Sequence, residues 1–177
     1  MPETIQLKET HYIRSRPDIL FRLACDPARR AKWDKNLRSA RYKGEEKLVN
    51  GSEVLLYLPL RLGGSRWNAR YTNVQAPTRA TLESTKPFGF FASLQQQWTF
   101  KPIPGGTEVT FQITALPRFG FIRRGSERIL RAVLAQTLID LQRQVDAAGA
   151  ESLLETAKEV SRAQRKQKRD AKVPPKR

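Results

Sequence analysis

The sequence is poor in the residues that most often carry covalent, redox or metal chemistry. Its 177 residues include one cysteine, Cys25, and one histidine, His11. A single cysteine excludes an internal disulfide and any cysteine-based zinc site. A single histidine leaves nucleophile–histidine pairs and histidine-rich metal sites with almost no material. Neither a Walker loop nor a dinucleotide fingerprint, nucleophile elbow or zinc spacing occurs, and Gly63–Gly64 and Gly105–Gly106 read as turns. Long apolar runs are missing too. No stretch approaches the ~18 residues that a spanning helix needs, and "MPETIQLKET" has no apolar signal-peptide core. The expectation is a cytoplasmic chain, peripheral to a membrane at most, with no metal or cofactor.

Acidic residues are the other shortage: 17 Asp and Glu stand against 33 Lys and Arg, a net charge of +16. Such a balance speaks about partners rather than fold, and points to anionic membranes, nucleic acid or anionic small ligands. The charge is uneven. Residues 162–177, "RAQRKQKRDAKVPPKR", hold eight basic residues and one acid.

What is present has a clear order. "TIQLKETHYIR" alternates as a first strand over residues 4–14. "SRPDILFRLACDPARRAKW" reads as two short helices, with Pro17 just inside the first, after Ser15 or Arg16 as cap, and Asp26-Pro27 as cap and first position of the second. Six strand candidates follow: "RSARYKGEE", "SEVLLYLPLRL", "RWNARYTNVQ", "RATLESTK", "SLQQQWTFKPI" and "TEVTFQITALP". Gly, Pro and Asn signals bound each of them. Short connections predict an antiparallel meander. A long helix opening at Ser126 carries Ile129, Leu130, Val133, Leu134, Leu138, Leu141 and Val145 on one stripe, and is the obvious cover for the sheet.

This order resembles the helix-grip, START-like (SRPBCC) superfamily, which includes polyketide cyclases and dehydrases and plant pathogenesis-related ligand binders. The resemblance rests on "SRPDILFRLACDPARRAKWD", where Asp26, Pro27 and Trp33 match the family's helix–helix corner, and on "WTFKPIPGGTEVTFQIT" as its closing hairpin. It covers about residues 4–148. It implies an α+β fold: a curved antiparallel seven-stranded sheet wrapped around the long C-terminal helix, with the two short helices after the first strand. It also implies a cavity between sheet and helix for an apolar or amphipathic ligand. The expected domains are 1–149 for this fold and 150–177 for a basic helical extension, partly disordered.

In such a meander the loops "LRLGGSR", "KPFGFF" and "LPRFGFIRRG" fall at one end of the sheet. They carry Leu62, Phe88, Phe90, Phe91, Phe119, Phe121 and Ile122 with Arg61, Arg66, Lys86, Arg118, Arg123 and Arg124, and no acid. The opposite loops have ordinary turn chemistry, with Glu45, Glu46 and Glu108. The aromatic end is either the mouth of a pocket or a surface that meets a membrane, or else a plug folded back on the helix.

Alternation places Trp67, Ala69, Tyr71 and Asn73 on one side of their strand, Leu94, Gln96, Trp98 and Phe100 on another's, and Val109, Phe111, Ile113 and Ala115 on the last. Trp67, Tyr71, Gln96 and Trp98 are candidates to face a ligand, because a buried polar tip needs a partner. Arg61, Arg66, Arg123 and Arg124 would attract an anionic head, with Phe88, Phe90, Phe91, Phe119 and Phe121 around its apolar part. Glu9 and His11 share a face and could do acid–base work, or form a satisfied pair. No catalytic residue is assigned; Glu9, His11 and Tyr71 are the candidates should the chain act as a cyclase or dehydratase. The tail could neutralise anionic lipid, or nucleic-acid phosphates through Arg162, Arg165, Lys166, Lys168 and Arg169.

Overall fold

The computed structural model describes residues 3–170, with side chains except at residue 153 and residues 164–170. Strand β1 (Ile5–Ile13) leads into helices α1 (Pro17–Cys25) and α2 (Pro27–Trp33). Strands β2 (Ser39–Tyr42), β3 (Glu53–Tyr57), β4 (Arg66–Gln75), β5 (Arg79–Ser84), β6 (Phe91–Ile103) and β7 (Gly106–Pro117) follow, and helix α3 (Arg123–Asp170) closes the order. The chain divides into two compact units, Met1–Gln142 and Arg143–Arg177, a division seven residues before the expected one.

Local chemistry explains the helices. Pro17 stands at the start of α1, where a missing N–H costs nothing, and Leu20, Phe21, Ala24 and Cys25 form its buried face. Asp26 ends α1 and caps α2, its Oδ1 accepting from the Arg29 N–H at 3.2 Å. The expected cap at Ser126 is corrected. A 3₁₀ turn over Gly120–Ile122 leads directly into α3, the Arg123 N–H bonding the Gly120 carbonyl, so the backbone is already wound at Ser126. Helix α3 also runs unbroken through Gly149, where Ala147, Ala148 and Ala150 offset the ~1 kcal/mol cost of a helical glycine.

The seven strands form one sheet in the order β1-β7-β6-β5-β4-β3-β2, every neighbouring pair antiparallel. The meander therefore runs from β2 to β7, and β1 closes beside β7. Strand β7 shows why the register holds: its even-spaced Val109, Phe111, Ile113 and Ala115 are buried, and the residues between them are not. Leu94, Gln96, Trp98 and Phe100 of β6 and Trp67, Ala69 and Tyr71 of β4 complete the inner face. Leu130, Leu134, Leu138 and Leu141 of α3 are buried.

The loops after β3, β5 and β7 lie at one end and touch. The Arg118 N–H bonds the Phe90 carbonyl at 2.9 Å. Phe88 and Phe91 close a tight hairpin through Gly89, whose φ of +49° suits glycine and whose Cβ position lies 3.1 Å from Ser65 Oγ. A side chain at Gly89 would be strained at this φ and would have to displace the Ser65 hydroxyl slightly.

Candidate functional site

That end of the sheet holds a cavity of about 150 Å³. Trp67 and Leu94 of the sheet, Phe88, Phe90 and Phe91 of the β5–β6 loop, and Ile129, Leu130 and Val133 of α3 give it mainly apolar walls. A second space of about 150 Å³ adjoins it, with Phe88, Phe90 and Phe91 lining both. Phe88 is buried and stacks on Trp67 at 5.7 Å, whereas Phe90 is 62% exposed. The loop phenylalanines thus divide: Phe88 plugs and Phe90 forms rim.

The polar part of the lining comes from Arg30, Asn36, Arg61, Gln96 and Ser126. Arg30, at the last turn of α2, donates from Nε to Asp34 Oδ2 at 2.9 Å and from Nη1 to Gln96 Oε1 at 2.8 Å. Its guanidinium lies 5.5 Å from the centre of the Trp98 ring and 5.6 Å from that of Phe111. Asp34 is buried as well, and its other oxygen accepts from the Asn36 N–H at 2.9 Å and the Thr137 hydroxyl at 3.4 Å. Asn36 Nδ2 donates to the Val133 carbonyl and the Thr137 hydroxyl of α3, while its Oδ1 accepts from Arg61 Nη2 at 3.1 Å. One continuous network therefore ties α2, the turn after it, β6 and α3 together along the cavity wall. Buried charges persist only when paired and hydrogen-bonded in this way.

Several expected site residues sit elsewhere. Tyr71 is buried in the core and donates its hydroxyl to the Cys25 carbonyl; burial holds its pKa well above the ordinary 10.0. Trp98 stacks on Phe111 at 4.0 Å and is outside the lining, with no hydrogen-bond partner for its Nε1 among the described residues. Both belong to packed core, because α1 and Arg30 cover that stretch of the sheet. Arg66, Arg123, Arg124, Phe119 and Phe121 also fall outside the lining. Arg123 pairs with Glu3 at 3.6 Å and Glu127 at 3.7 Å, so this end is not free of acids. Glu9 and His11 form a half-buried pair at 3.3 Å on β1, away from the cavity lining. Trp67, Gln96, Phe88, Phe90, Phe91 and Arg61 are brought together around the cavity. Arg162 is exposed; the side chains of Arg165, Lys166, Lys168 and Arg169 lie outside the described residues.

Arg30 and Asn36 escaped the sequence reading, although a signal existed. Arg30 stands three residues after Pro27, three before Trp33 and four before Asp34, all buried, whereas Arg29 is exposed.

Residues 4–146 match the family described as polyketide cyclase / dehydrase and lipid transport. The chain belongs to this family. This polyketide cyclase / dehydrase family protein has the ligand-binding type of fold of that family. Its structure is similar to that of TTHA0849 from Thermus thermophilus, with a TM-score of 0.69 at 20% identity over 81% of this chain and 99% of that one. A START superfamily protein from Mycobacterium smegmatis gives 0.69 at 10% identity, over 81% and 98%. The Zhui aromatase/cyclase from Streptomyces sp. R1128 gives 0.67 at 10%, over 85% and 96%. At these identities the likeness establishes the helix-grip fold alone. No curated protein matches the sequence. No described helix is long and apolar enough to cross a membrane.

Proposed function

We propose that this chain binds a small apolar or amphipathic molecule in the cavity between the sheet and α3, as a carrier rather than a catalyst. The observation that carries this reading is a space walled by Trp67, Phe88, Leu94, Leu130 and Val133 with a few polar groups at one side, the usual make-up of a small-molecule site. Its volume of about 150 Å³ suits one ring; an engineered apolar cavity of about this size takes up benzene. Cyclase or dehydratase chemistry through Glu9, His11 or Tyr71 lacks support, since none of the three lines the cavity. Calorimetric titration with para-ethylacetophenone tests the reading. Saturable one-to-one binding, abolished by Val133→Phe, is expected; no saturable binding of this ketone or of the benzoate of the same shape overturns it.

A second reading concerns where such a molecule is exchanged. Leu60 (87% exposed), Phe121 (86%), Phe90 and Phe119 project from the loops around the cavity. Arg66, Lys86, Arg118 and Arg124 beside them enter no ion pair among the described residues. Protruding apolar groups flanked by unpaired cations suit the interface of an anionic bilayer. Sedimentation with vesicles containing phosphatidylglycerol should pull down the chain, and Leu60→Ser with Phe121→Ser should release it about tenfold. Equal binding by the double variant removes this reading.

A further inference from the structure

We infer that the molecule held in the cavity carries an anionic oxygen group of carboxylate type, read by Arg30, Gln96 and Arg61. This rests on the proposed cavity function and adds the chemical class of the ligand.

Donors and acceptors along the wall are out of balance. Two side-chain carbonyl oxygens stand in the lining, Gln96 Oε1 and Asn36 Oδ1, and each already accepts from a guanidinium. Asn36 Nδ2 is also engaged, by the Val133 carbonyl and the Thr137 hydroxyl. Arg30 Nη2 and Gln96 Nε2 enter none of the hydrogen bonds among the described residues and are open to solvent, unlike the buried and unpartnered Trp98 Nε1. Arg61 spends Nη2 on the Lys35 carbonyl and Asn36 Oδ1, which leaves Nε and Nη1. Guanidinium nitrogens can only donate, and the Gln96 amide nitrogen likewise. The Ser126 hydroxyl oxygen can both donate and accept. The site therefore offers N–H groups and asks for acceptors.

Charge points the same way. Arg30 and Arg61 line the cavity and no carboxylate does. Asp34, which compensates Arg30, is fully buried behind it, with Oδ2 given to Arg30 and Oδ1 to Asn36 and Thr137. Arg61 has no carboxylate partner among the described residues. One positive charge at the cavity is thus uncompensated. A planar carboxylate has two oxygens to accept from such donors, and charge-assisted bonds of this kind are roughly twice as strong as neutral ones. A hydroxyl or amine ligand would bring hydrogens to a wall whose two side-chain carbonyl oxygens each already accept from a guanidinium.

The test compares two probes of one shape, para-ethylbenzoate and its neutral relative para-ethylacetophenone, by calorimetric titration of the full chain at low salt. Wild type should bind the acid about tenfold or more tightly than the ketone. Gln96→Glu keeps an oxygen for Arg30 Nη1 but replaces the amide donor by a carboxylate; it should abolish or reverse the preference for the acid. Arg61→Gln, at an exposed position, removes the second guanidinium and should lower the ratio of acid to ketone affinity several-fold. Equal affinity for both probes in wild type, or an acid preference that survives both substitutions, overturns the inference while the cavity function stands. Failure of wild type to bind either probe removes the cavity function, and this inference with it.

Discussion

Two aromatic groups occupy the inner face of the sheet, and they are packed in opposite ways. In the first, Trp98 stacks on Phe111 at 4.0 Å and on Phe100 at 6.0 Å, and Phe21 of α1 meets Phe100 edge-on at 5.9 Å. In the second, Trp67 stacks on Phe88 at 5.7 Å beside the cavity. What differs is the cover. The solid group lies under α1 and the Arg30 guanidinium, whereas the hollow one is roofed by loops and by Ser126 and Val133 of α3. Ile129 and Leu130 of the same turns also line the hollow, so the loop cover in place of α1, rather than small side chains on α3, sets it apart.

Truncation should expose this contrast most strongly. Phe111→Ala removes a fully buried ring from the solid group and should cost near the top of the ~3–5 kcal/mol range for such changes. Val133→Ala merely enlarges an existing space and should cost under about 1 kcal/mol. Urea denaturation of the two variants decides, and similar losses would mean that the space collapses in solution. Next comes Asp34→Ala, at the junction of the two regions. It leaves the Arg30 guanidinium buried without its carboxylate, at about 3 kcal/mol, the low end for a broken buried pair because Gln96 Oε1 still accepts from it. A loss below about 1 kcal/mol would show that water already reaches Arg30 from the cavity side.

The solid side also carries buried acids, Cys25 and Tyr71, and burial pushes both above their ordinary values of 9.0 and 10.0. Each holds its proton more tightly folded than unfolded. Their contribution is therefore intact below about pH 9 and falls as pH rises, by up to ~1.4 kcal/mol per pH unit for each group once the unfolded chain has lost that proton. Stability measured from pH 8 to pH 11 should decline, and Tyr71→Phe should flatten the upper part of that decline. A flat profile in wild type would place both groups in contact with water.

The sequence made the elements legible because each has its own period: Val109, Phe111, Ile113 and Ala115 at every second residue, Leu130, Leu134, Leu138 and Leu141 along a helical stripe. It also grouped the loops of one end, since a meander with short connections allows one arrangement. It did not separate Trp67 and Gln96 from Tyr71 and Trp98. Alternation says which face a residue takes, but a void depends on what lies opposite, and Ser126, Ile129, Leu130 and Val133 are distant in the chain. Arg30 was hidden for a related reason, since "ARRAK" looks like any solvated helix until Pro27, Trp33 and Asp34 fix its buried side.

Overpacking gives the smallest expected effect and the most direct comparison. Val109 is fully buried on β7 and lines neither of the two spaces. Val109→Phe must displace packed atoms and should cost about 1–3 kcal/mol. Val133→Phe adds the same atoms where a cavity of about 150 Å³ can receive them. Its ring would lie against Trp67 and Leu94, so the gain in buried apolar surface should offset the ordering of the side chain and leave stability within about 0.5 kcal/mol of wild type. Chemical denaturation of both variants therefore measures whether the hollow is a real vacancy in solution. If the two substitutions cost the same, the space is closed by motion of the Phe88–Phe91 hairpin, and a ligand would have to open it before binding.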